Sequence, residues 1–284
     1  MIVVTGATGQ LGRLVVEGLL EKVPAERLAV AVRAPEKAAD LAARGVEVRR
    51  ADYSEPETLE AAFAGAGKVL LISGSEVGQR VAQHRAVVEA ARRAGVGLLG
   101  YTGVLGGDRA GFRLADEHKA TEAAIRESGL PFVFLRNGWY TENYTAQAAV
   151  ALEHGAVVGS SGDGRIASAA RRDYAEAAVA VLTTEGHEGR AYELSGDTAW
   201  SLSEYAAELA AQSGRPVVYQ DVPAERHLAV LLDAGLPQPF AEILVDVDAG
   251  IARGELAITT GDLARLIGRP TTPLADSVKA ALQG

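Results

Sequence analysis

No cysteine occurs among the 284 residues, which excludes a disulfide framework, a thiolate metal site and a cysteine nucleophile. Any redox chemistry must therefore be carried by a bound group rather than by the chain. Basic excess is also missing. With 28 Lys and Arg against 37 Asp and Glu, the net charge is −9, and no cationic stripe is available to neutralise a nucleic-acid backbone. The apolar runs are too short or too interrupted to span a bilayer. Aromatic residues make up only 5% and methionine occurs once, yet 48% of the chain is hydrophobic, enough for one large α/β domain or a large domain with a small lobe. With a strand starting at Ile2, no signal peptide is expected. The expectation is a cytoplasmic protein with small-molecule partners, no nucleic acid, no membrane and no metal; a homodimer is left open.

What the chain does contain begins at once. Ile2 to Gly12 is an apolar, β-branched run that enters Gly6-x-x-Gly9-x-x-Gly12 and then a helical pattern. Strand, glycine turn and helix in that order build a dinucleotide pyrophosphate site, with backbone N–H groups and the helix dipole facing the anion. The spacing differs from the usual Gly-x-Gly-x-x-Gly, so context has to carry the reading.

That context is a regular alternation. Strands are expected at Ile2–Thr5, Leu28–Val32, Val46–Arg49, Lys68–Ile72, Val96–Tyr101 and Phe132–Leu135, with helical spacing between them at Leu11–Val23, Pro35–Arg44, Pro56–Ala64, Gly78–Ala94 and Leu114–Ser128. Gly45, Gly67, Gly95 and Gly129 fall where left-handed helix caps belong. The pattern predicts an α/β doubly wound parallel sheet of the Rossmann kind over residues 1–150. Residues 151–284 read as a smaller C-terminal substrate lobe with segments returning to the first domain. In it, Gly159–Gly164 reads as a loop or hairpin turn, and Ser201 with Glu204 as a helix capping box.

In such a sheet, ligands lie beyond the carboxyl ends of the strands. Arg33 closes the second strand where NAD-specific proteins place an acidic residue for the ribose 2′-hydroxyl, so a 2′-phosphate and hence NADPH is expected, with Lys37 as a second cation. Asp52 after the third strand serves either the adenine amine or a turn. Ser73, Gly74 and Ser75 after the fourth leave room for a ribose. Thr102 and Gly103 end the fifth. No Tyr-x-x-x-Lys occurs anywhere, so a tyrosine acid with its lysine partner is excluded. His118 and Glu122 stand at i, i+4, a spacing that allows contact and offers His118 as a proton relay, against a structural role. The densest cluster runs from Asn137 to Tyr144. It places Tyr140 and Asn143 where acceptor oxygens are expected and Trp139 or Tyr144 where a ring is, against aromatic packing between lobes. Arg171, Arg172 and Asp173 offer contacts to ribose or substrate, or a charged helix start.

Taken together, the segments VTGATGQLG, AVRAPEKA, ADYSEPETL, LLISGSEVGQR, LADEHKATE, LRNGWYTENY and GDLARLIGRPTTPLADSV resemble the NmrA-like family of atypical short-chain dehydrogenases/reductases. Within it they are most similar to the branch of bacterial type-2 NAD(P)H:quinone oxidoreductases. The resemblance spans nearly the whole chain. It implies an NADPH groove formed by Gly6, Ala7, Thr8, Gly9, Gln10 and Leu11; Arg33; Ser73, Gly74 and Ser75; Asn137, Gly138, Trp139, Tyr140, Thr141 and Glu142; and Ala169, Ala170, Arg171, Arg172 and Asp173. The departure is Thr102-Gly103-Val104, where a serine is expected after the threonine.

The function expected is hydride transfer from NADPH to a quinone or another electron-poor acceptor. Reducing a quinone yields a phenolate-like anion that water can protonate, so the missing tyrosine and lysine matter little there. Two other classes stay open: an NADP(H)-binding redox-sensing regulator without turnover, and a reductase of an enone or another small aromatic substrate.

Overall fold

The computed structural model describes residues 1–283. The first half alternates strands and helices: β1 (Ile2–Thr5), α1 (Gln10–Leu20), β2 (Leu28–Val32), α2 (Ala39–Ala43), β3 (Glu47–Arg50), α3 (Pro56–Phe63), β4 (Lys68–Leu71), α4 (Arg80–Arg93), β5 (Leu98–Val104), α5 (Leu114–Glu127) and β6 (Phe132–Asn137). There follow α6 (Glu142–Thr145), α7 (Ala148–His154), β7 (Ala156–Gly159), β8 (Arg165–Ile166), α8 (Arg171–Thr183), β9 (Arg190–Leu194), β10 (Trp200–Ser201), α9 (Leu202–Ser213) and β11 (Val218–Asp221). Helices α10 (Ala224–Asp233), α11 (Gln238–Ala252), α12 (Asp262–Ile267) and α13 (Leu274–Gln283) complete the chain.

Seven strands form one sheet in the order β3-β2-β1-β4-β5-β6-β9. The order reverses direction at β1, which places the switch point of the doubly wound fold between β1 and β4. Strands β1 to β6 pair in parallel, with Ile2 opposite both Leu28 and Lys68. Strand β9 runs the same way. Gly189 N–H reaches Phe132 O at one end, and Gly138 N–H reaches Leu194 O at the other, both at 2.7 Å.

Burial follows position in the sheet. Every residue of β2 and β5 is buried, as central parallel strands covered on both faces require. The edge strand β3 is polar and partly exposed, and Arg49 reaches over its end to the carbonyls of Ala62 and Ala64. One continuous core joins Val3, Leu71, Leu99, Tyr101 and Phe134 of the sheet to Leu59 and Phe63 of α3 and Val87 of α4.

By contact the chain forms two units. The first comprises residues 1–107, 116–137 and 172–193; the second comprises 108–115, 138–171 and 194–284. The chain therefore crosses between units several times, and α8 and β9 return almost wholly to the first. In the second unit β7 pairs in parallel with β11, and β8 pairs antiparallel with β10. Because β7 and β8 belong to different sheets, Gly159–Gly164 is a connecting loop and not a hairpin turn. The capping box forms as expected: Ser201 Oγ accepts from Glu204 N–H while Glu204 Oε2 accepts from Ser201 N–H. Gly45, Gly95 and Gly129 adopt left-handed φ, but after α3 the left-handed residue is Gly65, not Gly67, whose N–H donates to Met1 O where β1 and β4 begin.

Candidate functional site

The glycine turn sits at the carboxyl end of β1. Gly6 has φ of 60°, and Gly9 N–H closes the turn onto Gly6 O at 3.0 Å. Helix α1 starts at Gln10 with no side-chain cap and no acidic residue in its first turn. The first N–H groups of that helix have no intrahelical acceptor, and they lie at the positive end of the dipole. A Cβ at Gly12 would stand 2.3 Å from Gly6 O and 2.7 Å from Ala7 Cα, so only glycine lets the helix approach the turn this closely. Unused donors, a helix N-terminus and no competing carboxylate are the chemistry a pyrophosphate needs. Gly6, Thr8, Gly9 and Gln10 are exposed; Ala7 and Leu11 point into the core.

Beyond β2, Arg33 projects into solvent and its Nη1 donates to Glu76 Oε1 at 2.8 Å. Lys37 is exposed on the 3-10 turn Pro35–Ala38. A cation not singled out from the sequence joins them: Arg13 of α1 reaches across to Asp40 Oδ2 and to Lys37 O. It had no signal of its own, because the contact spans 24 to 27 residues. Asp52 Oδ1 accepts from Ser54 N–H at 2.9 Å, so of its two readings the structure displays the turn.

The segment after β4 is held from several sides. Ser73 N–H donates to Thr102 Oγ1 at 2.9 Å, which gives Thr102 an accepting role. Gly74 N–H donates to His84 Nε2 at 2.9 Å, and Arg80 Nε donates to Gly74 O at 2.8 Å. Accepting at Nε2 fixes the His84 tautomer, so Nδ1–H points to Thr121 Oγ1, 3.0 Å away, and that hydroxyl donates to Glu117 O. Tyr53, also missed in the sequence, donates to Thr5 Oγ1 at 2.5 Å and tightens the ends of β1 and β4.

His118 does not meet Glu122. Its Nδ1 lies 2.7 Å from Tyr101 Oη inside the first unit, where burial first, then Arg80 and His84, push its pKa down to about 3. The same causes, burial and then Arg80, push His84 down to about 3. Glu122 instead takes Arg136 on both oxygens, at 2.8 and 2.7 Å, with Glu193 on the other side of the guanidinium at 2.7 Å. The proton relay anticipated for His118 has no charged partner here, and the residue braces β5.

In the second unit the structure brings together two predicted segments thirty residues apart. Tyr140 bridges Ala169 in parallel; Thr141 N–H donates to Ala169 O, and Ala169 N–H donates to Trp139 O. Both oxygens of Glu142 accept from Arg171 N–H, and the Arg171 guanidinium lies 4.5 Å from the centre of the Tyr140 ring. Thr141 and Trp200 both bond to Ser168 Oγ. Asn143 is exposed on α6. Tyr144, half-buried, packs edge-on against Trp200 at 5.1 Å and tilts against Tyr205, and burial pushes its phenol pKa up. Asn137 and Gly138 are buried at the end of β6, and Ala170 is buried before α8. Arg172 pairs with Glu176 on the helix surface, whereas Asp173 is fully buried.

A Ser160, His227 and Asp248 cluster in the second unit has the composition of a hydrolytic triad. Its geometry is different: the same ring nitrogen, Nδ1, faces both Ser160 Oγ at 3.0 Å and Asp248 Oδ2 at 3.2 Å. A general base needs its two nitrogens divided between nucleophile and carboxylate.

The sequence matches the NAD(P)H-binding family over residues 6–185, and the chain belongs to that family. It is 51% identical over 278 residues to quinone oxidoreductase 2 of Escherichia coli strain K12, covering 98% of this chain and 97% of that one. Among solved structures it is similar to the Escherichia coli NADPH-dependent quinone oxidoreductase in complex with NADPH, with 50% identity, a TM-score of 0.97, and coverage of 99% of this chain and 100% of that one. It is also similar to the Citrobacter triphenylmethane reductase in complex with NADP(H), at 45% identity and a TM-score of 0.95 over 99% and 100% of the two chains. Among the described residues, no helix is long and apolar enough to cross a membrane.

Proposed function

We propose that the chain is an NADPH-dependent reductase that transfers hydride to quinones or similar electron-poor acceptors. The observation that carries this reading is the anion seat after β1, with its unused helix-start donors, joined to an arginine rather than a carboxylate at the end of β2. The similarity to reductases of known cofactor supports it.

NADPH, when bound, supplies the hydride. The chain's part is to hold and orient. The N–H groups at the start of α1 receive the pyrophosphate, and Arg33 with Lys37 receives the 2′-phosphate. The Ser73–Ser75 segment, fastened by Thr102, His84 and Arg80, keeps a fixed backbone beside the ribose. In the second unit, Asn143 and Tyr140 hold acceptor oxygens; the ring of Tyr140 is steadied by Arg171. A positioned acid is worth about 10²–10⁴-fold when an alkoxide forms. A quinone generates an aromatic, phenolate-like anion that takes its proton from water, which is consistent with a chain lacking Tyr-x-x-x-Lys and with a buried, neutral His118.

Oxidation of NADPH and NADH measured side by side with p-benzoquinone and menadione tests the reading. The expected result is turnover with both quinones and a preference for NADPH. Stoichiometric NADPH binding without oxidation across the panel would replace it with a redox-sensing regulator, and a saturated carbon–carbon product from an enone would replace it with a different reductase.

A further inference from the structure

Arg33, though exposed, already has an anionic partner. Its Nη1 is 2.8 Å from Glu76 Oε1, a carboxylate that arrives from the segment after β4. Glu76 is itself held. Its second oxygen accepts from Gln83 Nε2 at 2.9 Å, and the buried Gln83 is steadied in turn by donating to Ser54 Oγ at 3.1 Å. The backbone around it is equally fixed, because Gln79 and Arg80 N–H both donate to Glu76 O and Gly74 is clamped by His84 and Arg80. A surface ion pair ordinarily holds two free side chains together at an entropic loss that cancels most of its attraction. Here one partner is already positioned, so the carboxylate presents a standing acceptor to the guanidinium.

A 2′-phosphate needs that same guanidinium, and it carries the same sign of charge as Glu76. We propose that Glu76 is a built-in competitor for Arg33, and that it sets how strongly the chain prefers NADPH over NADH. This rests on the cofactor reading given above. NADPH must displace the carboxylate from Arg33 and then tolerate it nearby, whereas NADH, with a neutral 2′-hydroxyl, meets neither requirement. Glu76 therefore tempers a preference that Arg33 creates.

The test is dissociation constants for NADPH and NADH, read by nicotinamide fluorescence on the wild-type chain, Glu76→Gln, Arg33→Ala and the double variant. Both side chains are exposed, so neither substitution opens the core. The expected result is that Glu76→Gln tightens NADPH about three- to tenfold and moves NADH less than twofold, and that most of this gain disappears when Arg33 is alanine. An unchanged NADPH constant, an equal shift for both dinucleotides, or a gain that persists undiminished in the Arg33→Ala chain would overturn the competition. A wild-type chain that binds neither dinucleotide would instead overturn the cofactor reading on which it stands.

Discussion

Replacing Gly12 by alanine puts two physical effects in opposition. Alanine is favoured over glycine inside a helix by about 1 kcal/mol, so an argument from propensity alone predicts a more stable protein. The tertiary structure predicts the reverse. The added Cβ would lie 2.3 Å from Gly6 O, 2.7 Å from Ala7 Cα and 2.8 Å from Gly6 C, all of them backbone atoms of the turn. The contact with oxygen falls about 1 Å short of an ordinary separation, and backbone cannot rotate away as a side chain can. Overpacking of this kind costs about 1–3 kcal/mol, which outweighs the propensity gain, and relief requires the helix and turn to part. That movement turns the α1 donors away from the pyrophosphate, so NADPH affinity falls at least about tenfold, or about 1.4 kcal/mol. Gly18 is the comparison on the same helix, because a Cβ there meets no backbone and only one methyl closely, Cγ2 of the buried Val179 at 2.9 Å, so its strain stays away from the glycine turn. Urea unfolding and NADPH titration of Gly12→Ala and Gly18→Ala measure both effects. A Gly12→Ala chain that is more stable than wild type, or that binds NADPH normally, refutes the reasoning.

Arg33→Ala is expected to weaken NADPH about tenfold and leave NADH within twofold; parallel titrations decide, and an equal loss for both removes Arg33 from 2′-phosphate recognition. Asn143→Ala should lower kcat/KM for p-benzoquinone about tenfold at an unchanged NADPH dissociation constant, and unaltered turnover and affinity would take Asn143 out of the mechanism. Arg136→Met strips Glu122, whose side chain is 2% exposed, of two of its hydrogen bonds and leaves it only the more exposed Arg126 at 3.0 Å; a loss of about 2–3 kcal/mol in urea unfolding is expected, and a loss below about 1 kcal/mol would show that the pair is not structural. His84 and His118 have folded pKa values near 3, pushed down by burial from an unfolded value near 6.5. Their neutral forms therefore stabilise the fold fully above about pH 7, and this contribution is lost as pH falls toward about 3. Between about pH 7.5 and about pH 5 each should remove about 2 kcal/mol, and His118→Gln should cut the pH-dependent loss by about that amount. An unchanged pH dependence in the variant would mean the histidine is charged in the folded chain.

Most of what the sequence disclosed lies within one or two turns of chain. The strand, glycine turn and helix at Ile2–Gly12 were legible because each signal acts on its immediate neighbours. So was the Ser201 and Glu204 capping box, closed over three residues. The alternation of buried strands and amphipathic helices set the fold class for the same reason, and the missing Tyr-x-x-x-Lys excluded a tyrosine acid with its lysine partner without any structure at all. Local pattern failed where a role depends on a distant partner. His118 stands four residues from Glu122, and that spacing permits a pair; Arg136, fourteen residues on, takes the carboxylate with two hydrogen bonds, and the histidine turns to Tyr101. The packing of Tyr144 against Trp200 and Tyr205, 56 and 61 residues away, was equally invisible in the sequence.

The parallel α/β scaffold, the glycine turn between β1 and α1 and the positive charge after β2 could thus be read along the chain, because periodicity, turn chemistry and charge are local properties. What those residues touch was set by the fold. It joined Tyr140 to Ala169 and Glu142 to Arg171, hung the segment after β4 on His84, and laid Glu76 on Arg33 across 43 residues. Contacts of that span are set by sheet order and packing, which bring together residues that no local period relates.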